Sequence, residues 1–227
     1  MSNPEPDHRL ESVIHAPRGH VRSSVIWLHG LGADGHDFEP VIPYLGLSDD
    51  CGVRYVFPHA PQRAVTINAG LSMRAWYDIV QEDLLADVDE AGIRDSVSDV
   101  SGLVDDEIRR GVPSDKIILA GFSQGGVIAA HTALRYPQSL AGLVVLSAYL
   151  PLADTLAVES TAANRRLPVF IGHGLHDPIA PVELADMATE QLTQHGCRVT
   201  RHVYAMQHST CGEEIRDLGG WLKQILC

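Results

Sequence analysis

The chain is short of positive charge: Lys and Arg number 17 against 29 Asp and Glu, for a formal net charge of −12. An acidic surface repels phosphate backbones and anionic headgroups, which argues against nucleic acid as a partner and against electrostatic docking on membranes. Cysteine is scarce as well. Cys51, Cys197, Cys211 and Cys227 show none of the CxxC spacing of a zinc or redox site, and a chain of 227 residues needs no disulfide framework. Reduced thiols in a cytoplasm are therefore expected. No apolar run reaches the roughly 18 residues that a membrane span requires. The most apolar one, 140–152, contains Ser147 and Pro151, so no stable membrane insertion is expected. The opening Met1-Ser2-Asn3-Pro4-Glu5-Pro6-Asp7-His8 lacks the basic cluster and apolar core of a signal peptide. Gly/Ser or Pro-rich linkers and long repeats are missing too. A single domain over 1–227, with 1–11 as a flexible tail, is the expected organisation.

What is present is a core-forming composition, 45% apolar and 20% charged, arranged as an alternation. Short β-rich runs lie at Ser24–Leu28, Val53–Phe57, Lys116–Ala120, Gly142–Leu146 and Pro168–Ile171, and several are apolar at consecutive positions, as strands covered on both faces are. Between them, Ile93, Val97, Val100, Val104 and Ile108 form one helical stripe that Gly111 ends. Further helices are expected after Ser123, from Pro181 to His195, and from Gly212 to Leu226; Cys197–Tyr204 alternates as a strand. Ser12–His15 and Val25–Trp27, flanking Pro17-Arg18-Gly19, suggest a leading hairpin. The pattern predicts an α/β fold with a mostly parallel sheet and helices on both faces.

The chemistry concentrates in Gly121-Phe122-Ser123-Gln124-Gly125, a GxSxG entered by an apolar strand and left by an Ala-rich helix. Strand, sharp turn and helix are what a nucleophile elbow requires, and a Walker-type phosphate loop would need a Lys-Ser or Lys-Thr pair that is absent. Side chains at positions 121 and 125 would collide with neighbouring backbone, so glycines there leave Ser123 strained and its hydroxyl presented. A serine needs a base, and the base an orienting acid, in the chain order Ser, Asp or Glu, His. Of His131, His173, His176, His195, His202 and His208, only His208 falls in a loop at a strand's carboxyl end ahead of the last helix. Of Asp154, Asp177 and Asp186, Asp177 follows a strand's carboxyl end, where ligands gather in such sheets. A metal cluster of His173, His176 and Asp177 is the rival reading, but no second ligand group of HExxH-like spacing accompanies it. Neither a metal nor a cofactor is expected. The oxyanion that acyl transfer generates needs donors. The amides of Gln124 and of Leu31, in the glycine-rich Leu28-His29-Gly30-Leu31-Gly32, are the candidates.

Together with Pro58-His59-Ala60-Pro61, Ser72-Met73-Arg74-Ala75-Trp76-Tyr77-Asp78, Asp177-Pro178-Ile179-Ala180-Pro181 and His208-Ser209, these segments resemble the carboxylesterase and phospholipase branch of the α/β-hydrolases, which includes acyl-protein thioesterases and lysophospholipases. The resemblance implies an α/β-hydrolase fold, a Ser123, Asp177, His208 triad, oxyanion amides from Leu31 and Gln124, and ester or thioester substrates. It puts Leu71 and Trp76, in the loop 65–76, against the acyl group, although a tryptophan there is equally explained as core. Members of the family often pair, which is compatible with a homodimer. Gln207 departs from the glycine that usually precedes the histidine. A chain of this length has little room for a cap, which favours short to medium acyl chains. The acidic run Glu82, Asp83, Asp87, Asp89, Glu90 reads as a solvated face that, near the mouth, would favour neutral small-molecule esters. A pocket that only binds a ligand is the alternative to catalysis.

Overall fold

A computed structural model describes residues 10–227. Its frame follows from strands that cannot face water. Every residue of β2 (Ser23–Leu28) is buried, as is nearly all of β6 (Ile117–Phe122) and β7 (Gly142–Leu146), so each needs cover on both faces and neighbours on both edges. They form the middle of a seven-stranded sheet of order β1-β3-β2-β6-β7-β8-β9. Its other members are β1 (Ser12–His15), β3 (Val53–Pro58), β8 (Pro168–Gly174) and β9 (Arg198–Tyr204). All pairs are parallel except β1 with β3.

The period of two along the strands sorts the core into two layers. Ile26, Leu28, Leu119 and Ile171 point to the face covered by α1 (Glu90–Arg109), α2 (Gln124–Arg135) and α4 (Val182–Gln194). Val25, Trp27, Ile118 and Phe170 point to the other, where α5 (Gly212–Leu226) brings Ile215, Leu218, Trp221 and Leu222. A single helical turn, α3 (Leu156–Glu159), lies in the crossover between β7 and β8.

Four expectations need correction. The leading hairpin does not form: β1 pairs with β3, Val13 opposite Phe57, because both edges of β2 are taken by β3 and β6. The tail expected over 1–11 falls mostly outside the described residues, but its last two positions are docked. Leu10 packs on the core and the Glu11 carbonyl accepts the His59 N–H at 2.8 Å. The loop expected over 65–76 contains the second strand of a hairpin, β4 (Gln62–Val65) against β5 (Leu71–Arg74); at four residues each the two strands are too short for their pattern to stand out in the sequence. Finally, Cys51 and Cys227, expected as thiols, form a disulfide with Cα atoms 5.1 Å apart. Residues 176 positions apart carry no local spacing signal; they meet because α5 returns to lie beside the start of β3. Cys197 and Cys211 remain free, and burial pushes the Cys197 thiol up to about 11.

The acidic run is also more than a solvated face. Asp89 caps α1 by accepting the Gly92 N–H at 2.9 Å and also takes the Asp78 N–H at 2.9 Å, which moves the helix start three residues ahead of the apolar stripe.

Candidate active site

Three strand ends build the site. β6 runs past its apolar stretch through Gly121 and Phe122, and α2 begins at Gln124. Ser123, the single residue between them, therefore absorbs the whole change of direction, at φ 52° and ψ −122°. A non-glycine residue held there costs about 1–3 kcal/mol and persists only where its surroundings over-determine it. They do: a Cβ on Gly121 would stand 2.2 Å from the Gly125 carbonyl, and one on Gly125 would stand 2.3 Å from the Leu28 oxygen and 2.6 Å from that of His29. Strand and helix cross so closely that only glycines fit, and the Ser123 side chain is left at the crossing.

β8 likewise extends beyond its apolar run, through Gly172-His173-Gly174, and delivers Asp177. One Asp177 oxygen accepts the main-chain N–H groups of Ile179 and Ala180, both at 2.9 Å. The other takes the Nδ1 proton of His208 at 2.7 Å. Across the ring, His208 Nε2 lies 3.0 Å from Ser123 Oγ, and Phe122 packs against the imidazole with centroids 4.9 Å apart. The histidine loop is tied to the acid loop by the His176 N–H on the Met206 carbonyl at 3.0 Å. Gln207 takes no positive φ and is exposed, so the side chain that replaces the usual glycine is accommodated without backbone strain.

The passed-over histidines have other work. His131 is buried against the Pro151 carbonyl at 3.0 Å and the Arg135 guanidinium, and burial lowers it to about 4. His173 is held by the Ala180 carbonyl at 2.8 Å. His202 stacks on Phe170. His176 is exposed, and among the described residues no group of three or more His, Cys, Asp or Glu is arranged to hold a metal.

Gln124 and Leu31 stand at the carboxyl ends of the adjacent strands β6 and β2. As the first residue of α2, Gln124 has an N–H with no helical acceptor. The Leu31 N–H belongs to the Gly30–Leu31 peptide, whose carbonyl is held by His29 Nδ1 at 2.7 Å. His29 Nε2 accepts the Ala60 N–H at 3.0 Å, so the ring proton must sit on Nδ1 and donate to that carbonyl. Burial lowers His29 to about 4, which keeps this tautomer neutral. In a planar trans peptide the N–H points opposite the C=O, so fixing the Gly30 oxygen aims the Leu31 N–H. No spacing rule reveals this role; only the fold shows which carbonyl the ring reaches.

The two expected acyl contacts part company. Leu71, at the start of β5, is 63% exposed, whereas Trp76 is 0% exposed. Trp76 offers no face to a substrate and is a core residue; its indole donates to the His29 carbonyl beneath the 29–32 loop. The β5 strand also holds that loop, through the Gly32 N–H on the Arg74 carbonyl at 2.9 Å.

One buried carboxyl lies just behind the histidine loop. Glu214, in the first turn of α5, is packed beside Gly172 with no partner for either oxygen among the described residues. Desolvation raises it from 4.5 to about 8. The unfolded chain releases this proton near 4.5 and the folded chain keeps it to about 8. Over that window the unfolded state binds fewer protons, and stability falls as pH rises by up to about 1.4 kcal/mol per unit. Glu214→Gln keeps the shape and has no such proton. The melting temperature of this variant relative to the parent is expected to climb from pH 4.5 to 8 and level off above; a difference that stays flat with pH refutes a protonated Glu214.

Comparison with known proteins comes to the same place. Residues 10–226 match the phospholipase/carboxylesterase family. A protein called acyl-protein thioesterase 1 from Cryptococcus neoformans is 34% identical over 96% of this chain and 98% of its own length. Its namesake from Saccharomyces cerevisiae is 34% identical over 91% and 94%. Among solved structures, acyl-protein thioesterase 2 of Zea mays superposes with a TM-score of 0.83 at 27% identity, covering 96% of this chain and 99% of that one. Arabidopsis thaliana SOBER1 gives 0.84 at 28%, covering 91% and 100%. With an α/β-hydrolase sheet, an elbow serine at its centre and a match over almost the whole length, the chain belongs to the phospholipase/carboxylesterase family.

Proposed function

We propose that the chain hydrolyses acyl esters through a covalent acyl-enzyme on Ser123. The observation that carries this reading is the continuous relay from Asp177 through His208 to Ser123, with contacts of 2.7 and 3.0 Å. His208 Nε2 takes the hydroxyl proton as Ser123 Oγ attacks the acyl carbonyl, and Asp177 holds the imidazole and stabilises its charged form. The Leu31 and Gln124 amides bind the oxyanion. Collapse of the tetrahedral intermediate expels the alcohol, which receives the proton from His208. Water then attacks the acyl-enzyme by the same route and releases the acid.

For the substrate we favour neutral carboxylic esters of short to medium acyl chain. The net charge of −12 disfavours anionic carriers, and Leu71, exposed on the hairpin whose Arg74 carbonyl holds the Gly32 N–H, offers an apolar contact to a modest acyl chain. Thioesters are the second reading, favoured by the names of two full-length relatives, each called acyl-protein thioesterase 1. A pocket that binds without turnover fits poorly with a complete relay.

An alkyl fluorophosphonate probe is expected to label the protein at one serine and to leave Ser123→Ala unlabelled; labelling of that variant at the wild-type rate refutes the assignment. A panel of p-nitrophenyl esters from acetate to palmitate, with an S-acyl peptide and a lysophospholipid, sorts the substrate classes. Maximal kcat/KM on butyrate to octanoate supports the ester reading, and a preference for the S-acyl peptide replaces it with the thioester one.

A further inference from the structure

The two amides assigned to the oxyanion belong to chain segments more than ninety positions apart, one at the end of β2 and one at the start of α2. We propose that Trp76 is a positioning residue that holds these two donors in a fixed mutual orientation. The proposal rests on the acyl-transfer reading above and adds a residue that does not touch the substrate.

The indole Nε1–H of Trp76 donates to the His29 carbonyl at 2.9 Å, two residues before Leu31. Its main-chain N–H donates to Gln124 Oε1 at 3.1 Å, the side chain of the residue whose own amide is the second donor. The other end of that carboxamide, Nε2–H, is anchored on the Tyr77 carbonyl at 2.7 Å. Gln124 is thus gripped at both polar atoms by two consecutive residues, and its conformation about α2's first peptide is set by them. The Trp76 carbonyl in turn accepts the Ser96 hydroxyl of α1, which fixes the segment from behind. Trp76, Gln124 and His29 are all within 2% of complete burial, so these bonds meet no competing water and are stronger than they would be at the surface.

A tryptophan buried only for volume satisfies its N–H on any nearby acceptor. Here both N–H groups of one residue end on the two oxyanion segments and on nothing else in the site, and the indole ring also lies against the His29 imidazole, centroids 5.3 Å apart. That imidazole holds the Gly30 carbonyl, hence the Leu31 N–H. Each donor is aimed through a partner of Trp76, so slack at Trp76 lets the two amides diverge. Loss of one oxyanion donor costs on the order of 10²–10³ in kcat, and a donor kept but misaimed loses part of that.

Trp76→Phe removes the indole N–H and retains most of the ring. Turnover is normalised to active sites counted by fluorophosphonate titration, which discounts any loss of folded protein. We expect kcat on p-nitrophenyl butyrate to fall roughly ten- to a hundredfold with KM changed less than about threefold. Affinity for a trifluoromethyl ketone, whose hemiketal oxyanion occupies the same position, should fall in proportion to kcat. A normalised kcat within threefold of the parent overturns the proposal, and so does a fall in kcat with ketone affinity unchanged. Gln124→Met cuts the same brace from its other end while keeping the main-chain donor. It is expected to give the same paired loss and serves where Trp76→Phe does not fold; parental kcat in Gln124→Met then overturns the proposal. Ser123→Ala, assayed on the same ester but per mole of folded protein because it lacks the titrated serine, separates the two readings. Retained turnover there sinks the acyl-enzyme, whereas a dead Ser123→Ala beside a fully active Trp76→Phe sinks the brace alone.

Discussion

Ser123→Ala is expected to lower kcat by about 10⁶, the loss when a unit of nucleophile and base is broken at its nucleophile. His208→Ala should lose about as much, and the double variant little more, because the two groups perform one proton-coupled step. Asp177→Asn should behave differently, and the hydrogen bonds say why. One oxygen of Asp177 is claimed by two N–H donors, those of Ile179 and Ala180. An asparagine must offer them its carbonyl, which turns its NH₂ toward His208 Nδ1. Two donors then face each other unless the imidazole moves its proton to Nε2, and in that tautomer it cannot take a proton from Ser123. The expected loss is about 10⁴ in kcat, with the fold intact by circular dichroism. Asp177→Asn within tenfold of the parent would remove Asp177 from the relay.

The sequence carries the seven strands of the main sheet, the four long helices and the three residues proposed as a triad because each leaves a local mark. Ile117–Ala120 is continuously apolar, Ile93 to Ile108 is periodic, and Ser123 lies in a turn whose glycines sit at fixed offsets. His208 emerges by elimination, since most of its rivals fall inside elements or crowd the acid, and Asp177 because it follows the carboxyl end of a strand. What stays hidden depends on partners far along the chain. The ladder choice of β1 is decided by competition for the edges of β2, and the pairing of Cys51 with Cys227 by the return of α5. Trp76 looks the same as a pocket wall or as a brace until the carbonyl its indole reaches is known. Strand ends are under-read for a related reason. Gly121-Phe122 and Gly172-His173-Gly174 extend β6 and β8 past their apolar runs, and these additions are what carry the functional residues to the carboxyl end of the sheet.

Gly125→Ala tests whether the close crossing at the elbow is a requirement. Its added methyl would stand 2.3 Å from the Leu28 oxygen and 2.6 Å from the His29 oxygen. Both are main-chain atoms at the end of β2, a fully buried strand hydrogen-bonded on both edges, so neither can turn aside as a side chain would. Relief requires α2 to withdraw from β2 by the order of an ångström. That displacement moves Ser123 and the Gln124 amide away from the Leu31 amide, and a 1 Å misplacement of reacting groups costs about 10² in rate. Gly125→Ala should therefore lose at least about a hundredfold in kcat and about 1–3 kcal/mol or more of stability, the usual range for overpacking. The contrast is Gly102→Ala, in the interior of α1 with nothing within 4 Å of the new methyl. There the same substitution removes a helix-interior glycine and should add about 1 kcal/mol of stability with kcat unchanged. Chemical denaturation and ester kinetics on the pair distinguish the outcomes: a Gly125→Ala protein as active as the parent would mean that α2 and β2 do not meet as closely as the glycine implies.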